Sequence, residues 1–363
     1  MIQWDKILPA GEPDFEQLLI VLQRGTPSRP TLFEFFLNER LYEKLVPGAS
    51  ELLQEKGNNN SDVVDGLAYS SSILAQTLRM KAYHRAGYDY ASVIVPGFKF
   101  PSNRRYETRT VSANEGGLIH DRASFDAYPW PDPEKADVSI LDALAEELPD
   151  CMKMVVYGPG GVLENAIEIV GYETLCYWLT DDIALVEDIF EQVGSRILRY
   201  YERVASHPAV GACLSNDDWG FKTQTMFSPR HMRLYVFPWH QRIVSTVHDL
   251  GKPAILHSCG HFGRILHDLV DMGYDARHSY EDAILPVEEA YELYHDKFAI
   301  LGGIDLDFIC RSTPQQVYER AKALLDRTFR RGGYALGTGN SVPDYVPDEN
   351  YFAMLRAAWE QRS

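Results

Sequence analysis

The chain has little that would tie it to a membrane, a nucleic acid or a disulfide scaffold. No apolar run approaches the roughly 20 residues that span a bilayer. Its start, MIQWDKILPAGEPDFEQ, is acidic and lacks the basic stretch and apolar core of a secretory signal, so a cytoplasmic address is expected. Basic residues are few: 35 Lys and Arg against 52 Asp and Glu give a net charge of -17. The longest basic cluster is only Arg104 and Arg105, with Arg109 nearby. A phosphate backbone would be repelled by that field, so nucleic acid is not an expected partner. The five cysteines, Cys151, Cys176, Cys213, Cys259 and Cys310, are odd in number and widely spaced. They read as free thiols or a metal ligand and not as a disulfide framework. G-x-x-x-x-G-K-[ST], G-x-S-x-G and C-x-x-C are all absent, which leaves Walker-type phosphoryl transfer and α/β-hydrolase chemistry without support. No repeat, low-complexity tract or Pro/Ser-rich linker divides the 363 residues, so one domain over 1–363 is the simpler organisation.

What the chain does have is alternation. Short β-branched or aromatic runs, each ending in Gly, Pro, Asn or Asp, recur at 31–36, 91–97, 152–158, 209–217, 252–259, 274–280, 297–305 and 333–340. Between them, apolar residues at three- and four-residue steps predict helices over 71–86, 181–205, 229–250, 261–273, 285–295 and 314–331. Ser228-Pro229 and Thr313-Pro314 supply start signals, and Gly251, Gly273 and Gly332-Gly333 supply stops. Alternating strands and helices imply parallel pairing with helical crossovers, and eight such units make a (β/α)8 TIM barrel. The first third reads as irregular, an inserted cap with segments at about 37–90 and 98–150. Within it, 55–65 reads as a polar loop, and 98–137, with a possible hairpin around Glu115-Gly116-Gly117, as either a lid or a surface decoration.

In such a barrel the chemistry lies at the C-terminal strand ends. Those ends carry Glu34, Tyr157, Asn216-Asp217-Asp218, His257-Ser258-Cys259, His278-Tyr280-Glu281, Asp305 and Asn340, a polar set that a purely packed core would not need. In His257-x-Cys259 the two side chains point the same way, as residues two apart in a strand do, and both types bind zinc. The alternative is a buried Cys beside a hydrogen-bonded His. Of Asp217 and Asp218, one should face the site and the other cap a segment, and a plain surface turn is the competing reading. Asp218, Glu281 and Asp305 are candidate acids or bases; Glu34, Tyr157, Asn216 and Asn340 are candidate pocket residues. His248, His261, His267 and His278 read mostly as surface or supporting residues.

These residues sit in longer stretches that resemble a known superfamily. LHSCGHFGRILHDLVDMGYDARH at 256–278 is similar to the uroporphyrinogen decarboxylase superfamily, and within it to the cobalamin-dependent methyltransferase branch. NDDWGFKTQTMFSPRHMRLYVFPWHQRIV at 216–244, GPGGVLENAIEIVGYETLCYWLTDD at 158–182, ILGGIDLDFI at 300–309 and GTGNSVPDYVPDENYFAML at 337–355 fit as well. The resemblance implies a (β/α)8 barrel and, for that branch, zinc held by H-x-C and a distant Cys. His257 and Cys259 match the pair; the distant Cys falls on Asn340, so Glu281, Asp305 or Asp218 would have to supply a third ligand if metal is bound. The decarboxylases instead carry an N-terminal arginine-rich loop for a polycarboxylate tetrapyrrole. RGTPSRPTLFEFF at 24–36 keeps Arg24 and Arg29 but not that motif.

The expected function is therefore corrinoid-linked methyl transfer involving a small methylated substrate or acceptor, with zinc at His257 and Cys259. The corrinoid would be carried by a separate small protein, since no cobalamin-binding module is visible here. Two alternatives stand beside it. One is a metal-free decarboxylase of a tetrapyrrole or other carboxylate, which would use Arg104, Arg105 and Arg109. The other is a barrel that binds a corrinoid or small ligand without catalysis.

Overall fold

Seven parallel strands in sequence order organise the computed structural model, which describes residues 2–8, 11–56, 67–68, 70–103, 113–114 and 117–362. They are β1 (Tyr90–Ile94), β2 (Lys153–Tyr157), β3 (Val210–Asn216), β4 (Ala254–His257), β5 (Ala276–His278), β6 (Ala299–Leu301) and β7 (Tyr334–Ala335). Six fall inside a run predicted as a strand, and β1 starts one residue ahead of its run at 91–97. Residues such as Val155, Val156, Ala212 and Leu214 have no exposed surface, as expected where helices cover a parallel sheet. Parallel neighbours need a crossover, and helices supply it. The longest, Ile183–Ala205, starts where Asp182 accepts the Leu185 N–H at 3.1 Å. Pro314–Thr328 starts at a reciprocal cap between Thr313 and Gln316. The predicted helix over 229–250 is interrupted: a widened turn at Met232–Val236 separates Pro229–His231 from Phe237–Asp249. Pro238 sits at the start of that last piece and has no N–H to continue the ladder backwards.

The eighth predicted strand, 31–36, departs from expectation. It meets the sheet by one parallel bridge, Leu32 to Leu336, with Phe33 N donating to Leu336 O at 2.8 Å and Leu336 N to Thr31 O at 2.9 Å. Toward β1 a side chain takes the place of a ladder. The Tyr90 hydroxyl accepts the Glu34 N–H at 2.7 Å and donates to the Glu34 carbonyl at 2.5 Å, while Phe33 stacks on the Tyr90 ring.

The first third is more regular than its sequence suggests. It holds helices Phe15–Leu22, Glu39–Leu45, Ala49–Lys56, Ile73–Ala86, Arg122–Ala127 and Ile140–Glu147. Ile73–Ala86 lies within the expected insert 37–90 but is a core element. Gln76 donates to the Ile94 carbonyl at 3.0 Å and accepts its N–H at 2.9 Å, tying the helix to β1. Most of the polar loop at 55–65, the arginines Arg104, Arg105 and Arg109, and Glu115-Gly116 of the expected hairpin lie outside the described residues. Among the described residues no helix is long and apolar enough to cross a membrane.

Candidate active site

Strand register brings the chemistry together. Asn216 pairs with His257 across β3 and β4, and His257 with His278 across β4 and β5, so the three form one row. Two residues further on, Asp218 and Cys259 leave adjacent strand ends, and the Cys259 N–H donates to Asp218 Oδ1 at 2.8 Å. Asp218, His257 and Cys259 thereby place one carboxylate oxygen, one imidazole nitrogen and one sulfur all within 4.8 Å of one another. Burial holds the Asp218 carboxyl above the usual carboxylate range, and the Cys259 N–H offsets part of that.

Asp217 points the other way. It has no exposed surface, and its carboxylate accepts the N–H groups of Leu163 at 3.0 Å and Glu164 at 2.9 Å. It thus caps the helix Val162–Val170 that follows β2. The third contact is His240 Nε2 at 2.8 Å, and Tyr274 closes on His240 Nδ1 at 2.7 Å. Gly161 makes the approach possible, because a Cβ there would lie 2.0 Å from Asp217 Cγ. Glu164, which no sequence pattern flags, is raised well above the usual carboxylate range by burial and by Asp218 and Asp217 beside it.

Within this row His278 sets the form of His257. His278 Nε2 lies 3.2 Å from the Thr338 carbonyl, which can only accept, so Nε2 carries the hydrogen. His278 Nδ1 is then a lone pair, and it sits 2.7 Å from His257 Nδ1, which must donate to it. His257 is left with its lone pair on Nε2, for which the described residues provide no hydrogen-bond partner. Burial, reinforced by Arg277, pushes His257 down to about 3, and burial likewise lowers His278, so both rings are neutral at neutral pH. Phe35 packs on His257 at 4.7 Å between ring centres.

Cys259 Sγ lies 3.3 Å from Ser279 Oγ and 3.1 Å from Asn340 Nδ2. Asn340 Oδ1 accepts the Ser341 N–H at 2.7 Å, which directs the amide N–H toward sulfur. Asn340 therefore supports the thiol and does not present an oxygen to the trio. Burial, then Asp218, push the Cys259 thiol up to about 12, and Glu281 is near enough to add to this.

Glu281 lines two cavities, of about 160 Å³ and about 740 Å³, that flank Cys259, and no ion pair or side-chain hydrogen bond engages it among the described residues. Asn340 lines the larger one. Asp305 lines it too, yet both its oxygens are engaged, by Phe308 N at 2.9 Å and Asp282 N at 2.8 Å. It is the cap of helix Leu306–Arg311. Tyr157 is half-buried against Phe35 and Phe36, and Asn216 Oδ1 is buried with no hydrogen-bond partner among the described residues.

Glu34, expected as a pocket residue from its strand-end position, is not among the residues lining these two cavities. It has no exposed surface, Thr338 N donates to Oε2 at 3.1 Å, and Thr338 Oγ1 is 2.5 Å from Oε1. The Thr338 hydroxyl also contacts the Asn340 carbonyl. Burial pushes Glu34 up to about 8, against the lowering effect of the Thr338 N–H and hydroxyl that donate to it. The folded chain therefore holds a proton that an unfolded Glu releases near its ordinary value of 4.5. This contribution is full below that value and is lost as pH rises toward about 8. Glu34→Gln keeps the neutral shape, so its melting temperature should fall less than that of wild type between about pH 5 and about pH 8. Parallel pH profiles would sink the protonated assignment.

"Uroporphyrinogen decarboxylase" of Bacillus mycoides (strain KBAB4) is 32% identical over 121 residues, 32% of each chain. The protein of the same description from Bacillus thuringiensis (strain Al Hakam) is 34% identical over 122 residues, again 32% of each. The chain thus spans about a third of the length of the curated relatives it matches. A solved structure described as "methyltransferase from Methanosarcina mazei" superposes with a TM-score of 0.71 at 15% identity, covering 95% of this chain and 97% of that one. At that identity the likeness concerns the fold, which is α/β with a parallel sheet and a TIM-barrel-like neighbour. The model of the family "Uroporphyrinogen decarboxylase (URO-D)" matches residues 111–361, more than half of the sequence, and the chain belongs to that family.

Proposed function

We propose that this protein is a corrinoid-linked methyltransferase that holds zinc through Asp218, His257 and Cys259 and works with a small methylated substrate or acceptor. The corrinoid would come on a separate small protein. The observation that carries the reading is the convergence of three zinc-type donors at neighbouring strand ends. They suit the ion chemically. His257 offers a neutral lone pair with its other nitrogen already tied, a thiolate and a carboxylate offset a double positive charge, and three protein ligands leave a position open. Asp218 supplies the negative charge that a second cysteine would bring. Zinc, when bound, supplies Lewis acidity that activates a thiol, hydroxyl or amine of the reacting molecule.

The chain's own residues do the rest. Asn340 donates to the Cys259 sulfur and stabilises its thiolate. Glu281, unengaged and facing both cavities, takes up or returns the acceptor's proton. Tyr157 with Phe35 and Phe36 forms an apolar wall beside His257.

The names of the Bacillus relatives favour a second reading, a metal-free decarboxylase of a tetrapyrrole or other carboxylate. The larger cavity opposes it for a polycarboxylate: Glu281, Asp282, Asp305 and Asp307 line it with only Lys222 and Arg311, and with Arg320 holding Asp282, negative charge is still in excess. The test is zinc content of the full chain after zinc is supplied, together with demethylation of methylcobalamin by a panel of thiols, alcohols and amines. Near one zinc per chain and acceptor-dependent demethylation are expected. A chain that takes up no zinc and turns over a tetrapyrrole carboxylate would replace this reading with the second.

A further inference from the structure

Arg277 is the odd residue of β5. It is 5% exposed, and no carboxylate pairs with it among the described residues. Its guanidinium lies 3.8 Å from the centre of the Phe262 ring and 4.7 Å from that of Tyr280. Among the described residues neither its Nε nor the buried Tyr280 hydroxyl beside it makes a well-formed hydrogen bond, and each of the two side chains favours the other's charged form. Leaving a guanidinium buried and unpaired is costly, and burial pushes this one below the usual arginine value. A fold that keeps such a charge has a use for it outside its own chain.

Its position says what the use is. Arg277 lines the smaller cavity, of about 160 Å³, whose other walls include Phe262, Leu266, Ile284, Leu285 and Tyr294. Gly260 and Ser279 line the same cavity, the first next in sequence to Cys259 and the second in contact with its sulfur. The space is thus mostly apolar, has one fork of N–H donors with Tyr280 and Tyr294 among its walls, and lies beside the metal-type trio. Glu281 stands on its rim and disfavours a second negative charge.

We infer that this cavity is a binding site for a small organic monocarboxylate with an apolar body, its carboxylate held by Arg277 and the Tyr280 hydroxyl. A planar guanidinium matches a carboxylate bidentately, and the two rings hold that plane in place. The inference deepens the proposed function, because it names the class of small molecule brought to the trio, and it rests on that reading for what happens to the molecule there. Binding itself does not depend on it.

The test is calorimetric titration of the full chain, with and without supplied zinc, using benzoate, benzamide and inorganic phosphate as probes. Benzoate should bind at least ten times more tightly than either benzamide or phosphate. Arg277→Met should lose that preference while melting at or above the wild-type temperature, since it removes an uncompensated buried charge and keeps the packing volume. A structural arginine would instead lower the melting temperature. Equal binding of benzoate and benzamide, benzoate binding unchanged in Arg277→Met, or phosphate binding as tightly as benzoate would each overturn the inference. The wild-type comparison of benzoate with benzamide decides the matter even if the variant does not fold. Benzoate binding without zinc uptake would leave this site standing and remove the methyl-transfer reading; zinc uptake without benzoate binding would do the reverse.

Discussion

Cys259→Ser is expected to weaken zinc binding by more than two orders of magnitude and to abolish methyl transfer with it. The reasoning starts from scale. Loss of a residue that merely supports a ligand costs roughly 10–100-fold in metal affinity, so loss of a ligand should cost more. A serine hydroxyl stays protonated where a thiol can ionise on metal, and it removes the softest donor of the three. Asn340→Ala provides the internal comparison. It deletes the N–H at 3.1 Å from the sulfur but no ligand, and its cost should stay within the roughly 10–100-fold range. Cobalt(II) in place of zinc makes the assignment visible. The wild type and Asn340→Ala should show a thiolate-to-metal charge-transfer band that Cys259→Ser lacks. A serine variant that retains near-stoichiometric metal and the band's full intensity would remove Cys259 from the site.

Asp217→Ala should cost roughly 3–5 kcal/mol of folding stability, the scale for breaking a buried pair and leaving its partner uncompensated. Three donors converge on this carboxylate: two N–H groups that open the helix after β2, and His240. Asp217, His240 and Leu163 have no exposed surface, so water has little access to these donors. Asp217→Asn should be nearly as damaging, since an amide has one accepting oxygen and would turn its own N–H toward a donor. By contrast Asp182→Ala, at a more open cap, should cost about 1 kcal/mol. Urea midpoints at constant slope give the comparison directly. A loss under about 1 kcal/mol for Asp217→Ala would mean that the surrounding loops rearrange around the vacancy.

How much of this was legible beforehand depends on distance along the chain. The strands were readable because their apolar runs are local, and the pairing of His257 with Cys259 because two-residue alternation is local as well. Asp218 stood in the sequence as one of three possible partners; only the register between β3 and β4 brings it to the trio. Glu34 and Asp305 share a strand-end address with the site residues, and address alone could not show that Thr338 and the Phe308 N–H engage them. Residues 31–36 have the composition of a strand, but Tyr90, more than fifty positions later, occupies the rung that a β1 ladder would need. Arg277 left one local trace, a charged residue in the middle of the short run YDARHSY, and its meaning came from what does not surround it.

The line from Glu34 through Thr338 and His278 to His257 has a consequence for the order in which the molecule assembles. Its first link joins residues 304 positions apart, and the next spans 60. Contacts that close such long loops form late, after local helices and neighbouring strands have gained what they can. Until Glu34 and Thr338 meet, nothing fixes which nitrogen of His278 carries the hydrogen, and His257 has no preferred tautomer to offer. A partly folded chain can therefore gather His257, Cys259 and Asp218 into one neighbourhood and still be a poor receptor for an ion. Tight metal capture would mark the end of folding, and a metal at this site would act less as a nucleus around which the chain condenses than as a seal on a fold already complete.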